Sequence, residues 1–133
     1  MPDRLLLDTG VLIGGTAPGS VDGAVAVSAL TLAELEFGLS AAAARDDAAE
    51  VRRRATRLAA IRVEFGEGVP FDAAAAVAYG RVTSAVLHAG RSPRARAIDL
   101  LIAAVALSRG AVLITSQPDE FVGLERLLEV RAA

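Results

Sequence analysis

The sequence predicts an α/β fold, a three-layer α/β/α sandwich with a central, mostly parallel sheet. Three short apolar runs, residues 5–7, 24–27 and 111–114, are continuous rather than alternating, which is typical of strands buried on both faces. Long helical patterns separate these runs, and strands that alternate with helices form parallel sheets. A chain of 133 residues with no internal repeat or long linker predicts a single domain, residues 1–133.

The first two helical patterns follow the second strand. One runs from Thr31 to about Ala44 and begins with Thr31-x-x-Glu34, the spacing of a capping box. The next covers residues 46–61 and carries a row of arginines. A short strand is expected directly after it, at residues 63–65.

Two more helices precede the last core strand. Asp72 is a candidate N-cap for the third helix, which Gly90 would end. The fourth contains Asp99 near its start and is closed by Gly110. A final short strand is expected at residues 128–131.

Composition excludes several classes of enzyme. The chain has no cysteine, which removes disulfides, thiolate zinc sites and cysteine nucleophiles. All 14 basic residues are arginine, so there is no lysine for a Schiff base or a P-loop. Phosphotransfer domains of the receiver or haloacid-dehalogenase type normally use a lysine as well, which makes that class a poor fit.

Hydropathy and charge predict a cytoplasmic protein. No apolar stretch is as long as a membrane span, and the N-terminal MPDRLLLD has too short an apolar run for a secretory signal. The net charge of −2 gives no overall attraction for a polyanion. Nucleic-acid binding would therefore depend on local clusters of arginine.

Asp99 occupies an unusual position. It is the one charge among ten apolar residues in AIDLLIAAVAL, residues 97–107, and a helix of this sequence has apolar side chains at every bearing. An ionised carboxylate without a partner would cost several kcal/mol there. Either a salt bridge to Arg94 or Arg96, or a bound cation, would make the position tolerable.

The other candidate acids follow strands. Asp8 comes directly after the first strand, Glu34 follows Ser28 at the end of the second, and Asp119 follows the third. Parallel strands bring these ends to one edge of the sheet, where ligands bind in open α/β folds. Asp99 starts a helix that leads into the last core strand, which places it near the same edge. Four acids are therefore expected to converge.

Crowded carboxylates of this kind point to a divalent metal. They would raise one another's pKa unless a cation lay among them. Mg²⁺ and Mn²⁺ prefer oxygen ligands and often bind a few carboxylates together with substrate phosphates. One or two such ions would support phosphodiester hydrolysis. The predicted metal ligands and catalytic residues are Asp8, Glu34, Asp99 and Asp119.

Each acid also has a purely structural explanation. Asp8 suits a turn or an N-cap, the capping box alone would explain Glu34, and Asp119 after Pro118 is typical of a turn. Together these explanations would require several charges to reach one edge by coincidence.

Three further features have simpler interpretations. The arginine row at residues 52–57 is typical of a solvated helix face, with RNA contact as the alternative. His88 is expected at the surface near a helix end. The glycine-rich residues 14–19 predict a flexible loop close to Asp8 that could gate the site.

Four segments carry a family pattern in order along nearly the whole chain. They are LLDTGVLI at residues 6–13, SALTLAELEFGL at 28–39, DLLIAAVA at 99–106, and LIT with DEF within 113–121. This combination resembles the PIN-domain ribonucleases, and more narrowly the VapC toxins of bacterial toxin–antitoxin pairs. The resemblance implies an endoribonuclease that depends on Mg²⁺ or Mn²⁺, a homodimer, and inhibition by a cognate VapB-type antitoxin.

The family's functional residues map onto this sequence with two departures. Asp8, Glu34 and Asp99 match its three acids, and Thr115 matches its polar residue after the last core strand. Gln117 stands where an acid or asparagine is usual, so Asp119 takes the fourth position by proximity, with Glu120 as the alternative. Gly10 replaces the usual serine or asparagine, and weaker metal affinity is expected. The supporting residues implied are Thr9, Thr115, Ser116, Gln117 and Glu120.

The sequence is compatible with two functions. The first is a metal-dependent endoribonuclease that acts as a growth-arresting toxin. The alternative is a catalytically weakened PIN-fold module that binds RNA or a protein partner. A small, apolar chain with alanine-rich helices is also expected to bury hydrophobic surface against a partner.

Overall fold

The central sheet has four strands, all parallel. The computed structural model describes residues 3–14 and 24–133, and its strands are β1 (Arg4–Leu7), β2 (Ala24–Val27), β3 (Val112–Thr115) and β4 (Val130–Ala132). Their order across the sheet is β2-β1-β3-β4. Leu7 is level with Val27 on one side and with Ile114 on the other, so three carboxyl ends lie side by side. The predicted parallel sheet is confirmed.

Five α-helices surround this sheet in the described residues. They are α1 (Thr9–Ile13), α2 (Ala29–Ala44), α3 (Ala48–Phe65), α4 (Ala73–His88) and α5 (Ala97–Ser108). Two short 3₁₀ helices, Pro93–Arg96 and Pro118–Phe121, lie before α5 and after β3. No helix in the described part of the chain is long and apolar enough to cross a bilayer.

Two hydrophobic clusters cover the two faces of the sheet. Side chains alternate along β1, so Leu6 joins the cluster with α4 and α5, while Leu5 and Leu7 join the cluster with α1, α2 and α3. The apolar side of α5, which includes Ile102, is fully buried against the sheet. Helices on both faces confirm the three-layer architecture, and they fix the strand ends that carry the candidate site.

The predicted capping box at Thr31 was wrong. Helix α2 begins earlier, at Ala29, because Ser28 is the N-cap and its Oγ accepts a hydrogen bond of 3.1 Å from the backbone N–H of Thr31. Thr31 therefore lies inside the first turn and is fully buried. Glu34 is free of the capping role and its side chain has another partner.

The predicted strand at residues 63–65 was also wrong. Helix α3 continues through Phe65 and ends at Gly66, which has a positive φ of 65°. Ile61 and Phe65, four residues apart, both pack into the core, whereas Val63 between them is exposed. The alternation of three residues is too short to distinguish a strand from the last turn of a helix.

The remaining elements follow the sequence prediction closely. Asp72 caps α4 by accepting a 3.0 Å hydrogen bond from the N–H of Ala75, and Gly90 follows the helix with a positive φ. His88 is exposed in the last turn of α4. The last strand begins at Val130, slightly later than predicted. Residues 15–19 of the predicted gating loop lie outside the described residues.

Candidate active site

Asp8 is held rigidly where β1 ends. Its backbone N–H extends the sheet by donating to the carbonyl of Ile114 at 2.8 Å. Its carboxylate accepts two hydrogen bonds, from the N–H of Thr9 to Oδ1 at 2.8 Å and from the Thr115 hydroxyl to Oδ2 at 3.0 Å. The short helix α1, which the sequence did not predict, makes the first bond possible because Asp8 is its N-cap. Both carboxylate oxygens are thus fixed by the protein.

Burial makes the negative charge of Asp8 unfavourable. Desolvation raises the pKa of Asp8 above its ordinary value, and the negative charge of Glu120 raises the pKa further. The hydrogen bonds from Thr115 and Thr9 act in the opposite direction without cancelling the effect. A positive charge nearby would relieve this cost.

A chain of hydroxyl groups ends on Glu34. The Thr9 hydroxyl donates to Oε1 of Glu34 at 2.5 Å. A hydroxyl has one hydrogen to donate, so Thr31, whose Oγ1 lies 3.2 Å from that of Thr9, must donate to Thr9. Ser28 lies 3.3 Å from the Thr31 hydroxyl and donates to it in the same way. The three hydroxyls therefore point from the buried end of β2 toward the Glu34 carboxylate.

The sequence analysis named Thr9 as a supporting residue but did not predict this chain of hydroxyl groups. The sequence analysis assigned Thr31 to a capping box and therefore did not consider its hydroxyl, which is buried. The sequence feature that indicates the chain is Thr9, whose hydroxyl directly follows Asp8 at the end of the first strand.

Asp99 has no cationic partner among the residues that the structure describes. It lies half-buried in the first turn of α5, and burial is the main cause that raises its pKa to about 7. A hydrogen bond with the Glu120 carboxyl and the negative charges of Asp8, Glu120 and Glu34 raise the pKa in the same direction. None of the ion pairs between described residues includes Asp99. The suggested salt bridge to Arg94 or Arg96 was wrong, since Arg96 donates to the backbone carbonyl of Glu120 instead.

Glu120, rather than Asp119, is the acid of residues 118–121 that raises the pKa of Asp99. Both lie in the 3₁₀ helix Pro118–Phe121, in which Phe121 is buried in the core. This arrangement leaves Asp119 exposed, and its backbone carbonyl accepts a hydrogen bond from Arg91. No hydrogen bond in the described part of the chain joins the Asp119 carboxylate to the other acids.

The two departures from the family pattern have local structural counterparts. A Cβ atom on Gly10 would lie 2.7 Å from the Ser116 hydroxyl, so Ser116 fills the space that a side chain at position 10 would enter. Gln117 acts through its backbone, because its N–H donates to the Thr115 hydroxyl at 3.0 Å and so directs that hydroxyl's hydrogen toward Asp8.

The donor set fits a hard divalent cation. Within the described residues, no group of three or more acidic or histidine side chains is already arranged as a metal site. Asp8 and Asp99 nevertheless have raised pKa values because they are desolvated near other carboxylates, and all the donors are oxygen. A divalent charge among them would offset this repulsion.

Fold and site together define a class of protein: an α/β/α domain with several acids at the carboxyl edge of a parallel sheet. The PIN domain family model matches residues 5–125, and the chain belongs to the PIN domain family. It is 40% identical over 130 residues to Ribonuclease VapC5 of Mycobacterium tuberculosis (strain ATCC 25618 / H37Rv). This match covers 93% of this chain and 90% of that protein.

Solved structures show the same fold. The chain is similar to VapBC-5 from Mycobacterium tuberculosis, a member of the VapBC family of toxin-antitoxin systems, with a TM-score of 0.77, 32% identity and 98% of each chain covered. It is also similar to FitAcB from Neisseria gonorrhoeae, with a TM-score of 0.76, 26% identity and 96% of each chain covered. The fold resemblance therefore extends over nearly the full length.

Proposed function

We propose that this chain is a metal-dependent endoribonuclease that acts as the toxin of a toxin–antitoxin pair. The observation that carries the proposal is the group of carboxylates Asp8, Glu34, Asp99 and Glu120, which influence one another's charge at one sheet edge and have no cationic partner among the described ion pairs. The extensive identity to a relative named as a ribonuclease supports RNA as the substrate.

The cofactor proposed is Mg²⁺, with Mn²⁺ able to replace it. PIN-domain VapC nucleases generally depend on a divalent metal. Asp8 and Asp99 would hold the ion, with Glu34 and Glu120 as the further acids, and Glu120 takes the place of Asp119 because its charge acts on both Asp8 and Asp99. When bound, the ion makes water a better nucleophile and stabilises the leaving oxygen of a phosphodiester.

The chain's own residues supply orientation. Thr115 and the N–H of Thr9 keep both Asp8 oxygens in one position, so little reorganisation is needed at the reacting centre. Thr9 does the same for Glu34 through its hydroxyl. This group of acids includes no basic side chain that could bind a phosphate. Residues elsewhere on the protein must therefore hold the RNA.

The proposed partners are a second copy of the chain and a VapB-type antitoxin, and the proposed location is the cytoplasm. The similar structures named above include a toxin–antitoxin family member, which supports such a partner. Large apolar side chains on the surface offer area for these contacts, among them Phe37, which is 74% exposed on α2.

A binding module without cleavage is the second candidate. The observation that favours it is the lack of a ready group of metal ligands in the described residues, together with Gln117 at a position where the family has an acid or asparagine. Such a module would bind RNA or a partner and leave the RNA intact.

One experiment separates these functions. Purified protein would be incubated with total RNA and Mn²⁺, and the cleavage ends mapped for wild type, Asp99→Asn and Asp119→Asn. We expect Asp99→Asn to lose cleavage by more than about 100-fold, because changes to the neighbours of metal ligands already cost 10–100-fold. Asp119→Asn is the matched control, since it removes the same charge from an exposed site, and it should cleave like wild type.

The outcomes are distinct. Full cleavage by Asp99→Asn would contradict the proposed site. An intact RNA pool with wild type, combined with saturable RNA binding, would establish the binding module instead.

A further inference from the structure

An open groove runs along the outer side of α3. Its volume is 510 Å³ and it is lined by Ala49, Arg52, Arg53, Thr56 and Arg57, which we call the arginine groove. Arg53 and Arg57 are four residues apart, as are Arg52 and Thr56, so these side chains lie on neighbouring positions of one helix face. The sequence alone left this row undecided between a solvated face and an RNA contact.

The charges of this groove are only partly compensated. Glu50 forms ion pairs with Arg53 and Arg54 on the same helix. Arg52 and Arg57 belong to none of the ion pairs found in residues 3–14 and 24–133. Two guanidinium groups therefore remain available to an anionic ligand.

The groove connects with the candidate active site. Arg57 also lines a small cleft of 50 Å³, whose other walls include Glu34, Leu35 and Gly38. Glu34 accepts the hydrogen bond from Thr9 and also lines the cleft to which Arg57 belongs. Arg57 therefore lies both in the arginine groove and beside one of the candidate acids.

We infer that the arginine groove binds the phosphate backbone of the RNA beside the bond that is cleaved, an inference that rests on the proposed function. The acidic edge repels phosphates and the whole chain carries a net charge of −2, so substrate binding needs a local positive surface. Arginine is suited to this role because its planar guanidinium binds phosphate oxygens in pairs.

An acidic protein segment is the competing occupant, and the position of the groove favours RNA over it. A surface that leads into the catalytic cleft through Arg57 can hold a substrate strand that must also reach the acids. Contacts of this kind carry no base readout, so the groove would add affinity without selecting a sequence.

The test compares two pairs of substitutions in an Asp8→Asn background, which we expect to bind RNA without cleaving it. Arg52→Gln/Arg57→Gln removes the two available charges of the groove. Arg81→Gln/Arg126→Gln is the matched control, because both residues are exposed and neither belongs to the described ion pairs. The measured quantity is the affinity for a labelled single-stranded RNA across a range of salt concentrations.

The expected result is a change in salt dependence. Loss of two phosphate contacts should lower the slope of log affinity against log salt by about 1.4 and weaken binding roughly 10-fold at low salt. The control pair should keep the slope of the parent. Circular dichroism and thermal unfolding of both pairs would verify that the fold is retained.

Three outcomes would overturn the inference. An unchanged slope for the groove variant, while wild type cleaves RNA, refutes the groove and leaves the proposed function standing. Retained RNA binding with lost binding of polyglutamate would show that the groove receives an acidic protein segment. A wild type that neither binds nor cleaves RNA would refute the proposed function itself, and the groove with it.

Discussion

The acidic edge has two halves that are built differently. Both carboxylate oxygens of Asp8, and Oε1 of Glu34, accept a hydrogen bond from a hydroxyl group or a backbone N–H. At the start of α5, Asp99 lies instead near other carboxylates, and burial together with the neighbouring Glu120, Asp8 and Glu34 raises its pKa to about 7. The first half is oriented by the protein, whereas the second is where a bound cation would change the energy most.

The first prediction tests the oriented half through Asp8. Thr115→Val keeps the shape of the buried side chain and removes the donor to Oδ2 of Asp8. We expect metal affinity and RNA cleavage to fall by about 10–100-fold, as for other residues that orient a metal ligand. Titration with Mn²⁺ and a cleavage assay measure the two effects.

Thr115→Ser is the control for this change, because it restores the hydroxyl with one methyl fewer. Recovery of most of the lost activity is expected. Equal losses for the valine and serine variants would mean that packing, and not the hydrogen bond to Asp8, is what Thr115 supplies.

The second prediction tests the hydroxyl chain at a distance from the acids. Thr31→Val removes the donor to Thr9 and touches no carboxylate directly. Cleavage should fall several-fold, because Thr9 then holds Glu34 less firmly. In a Glu34→Gln background the same substitution should have almost no further effect.

This double-mutant comparison distinguishes positioning from stability. A purely structural role for Thr31 would reduce cleavage by the same factor in both backgrounds. That result would show that the chain of hydroxyl groups does not position Glu34.

The third prediction, with the smallest effect, concerns the stability of the metal-free protein. The pKa of Asp99 is about 7 in the folded state, above the value of about 3.9 in an unfolded chain. Between these values the folded state binds more protons, so stability should fall as pH rises from about 4 to about 7 and then stay level. Asp99→Asn should have a smaller slope, with the remainder due to the raised pKa of Asp8, and should unfold at a higher temperature than wild type at pH 8.

Thermal unfolding in chelator, followed across that pH range, measures this difference. Parallel curves for wild type and Asp99→Asn would show that the Asp99 charge is not the uncompensated one. The comparison between the two halves of the edge would then fail.

The main outline of the site was predictable because it depends on long-range geometry that the sequence records. Acids that follow parallel strands lie at the same edge of the sheet. This rule predicted from the sequence alone that Asp8 and Glu34 lie near each other. Asp99 was conspicuous because a charge in an apolar helix needs a partner. The structure shows that the partner is not an arginine of the described residues.

The sequence did not predict which of two neighbouring residues turns toward the site or at which residue a helix begins. Asp119 and Glu120 are adjacent, and only the burial of Phe121 decides which of them turns toward Asp99. Ser28 and Thr31 both suit an N-cap, and the choice between them depends on where β2 ends. Such differences of one to three residues arise from packing that a single sequence does not show.

The central claim is that this acidic edge takes up a divalent cation, and calorimetric titration of the metal-free protein with Mn²⁺ near pH 7 tests it most directly. We predict saturable uptake by wild type, accompanied by release of protons from Asp99, and strongly weakened uptake by Asp99→Asn. Proton release would be measured by repeating the titration in two buffers of different ionisation enthalpy. Absence of saturable uptake by wild type, or equal affinity in Asp99→Asn, would contradict the account.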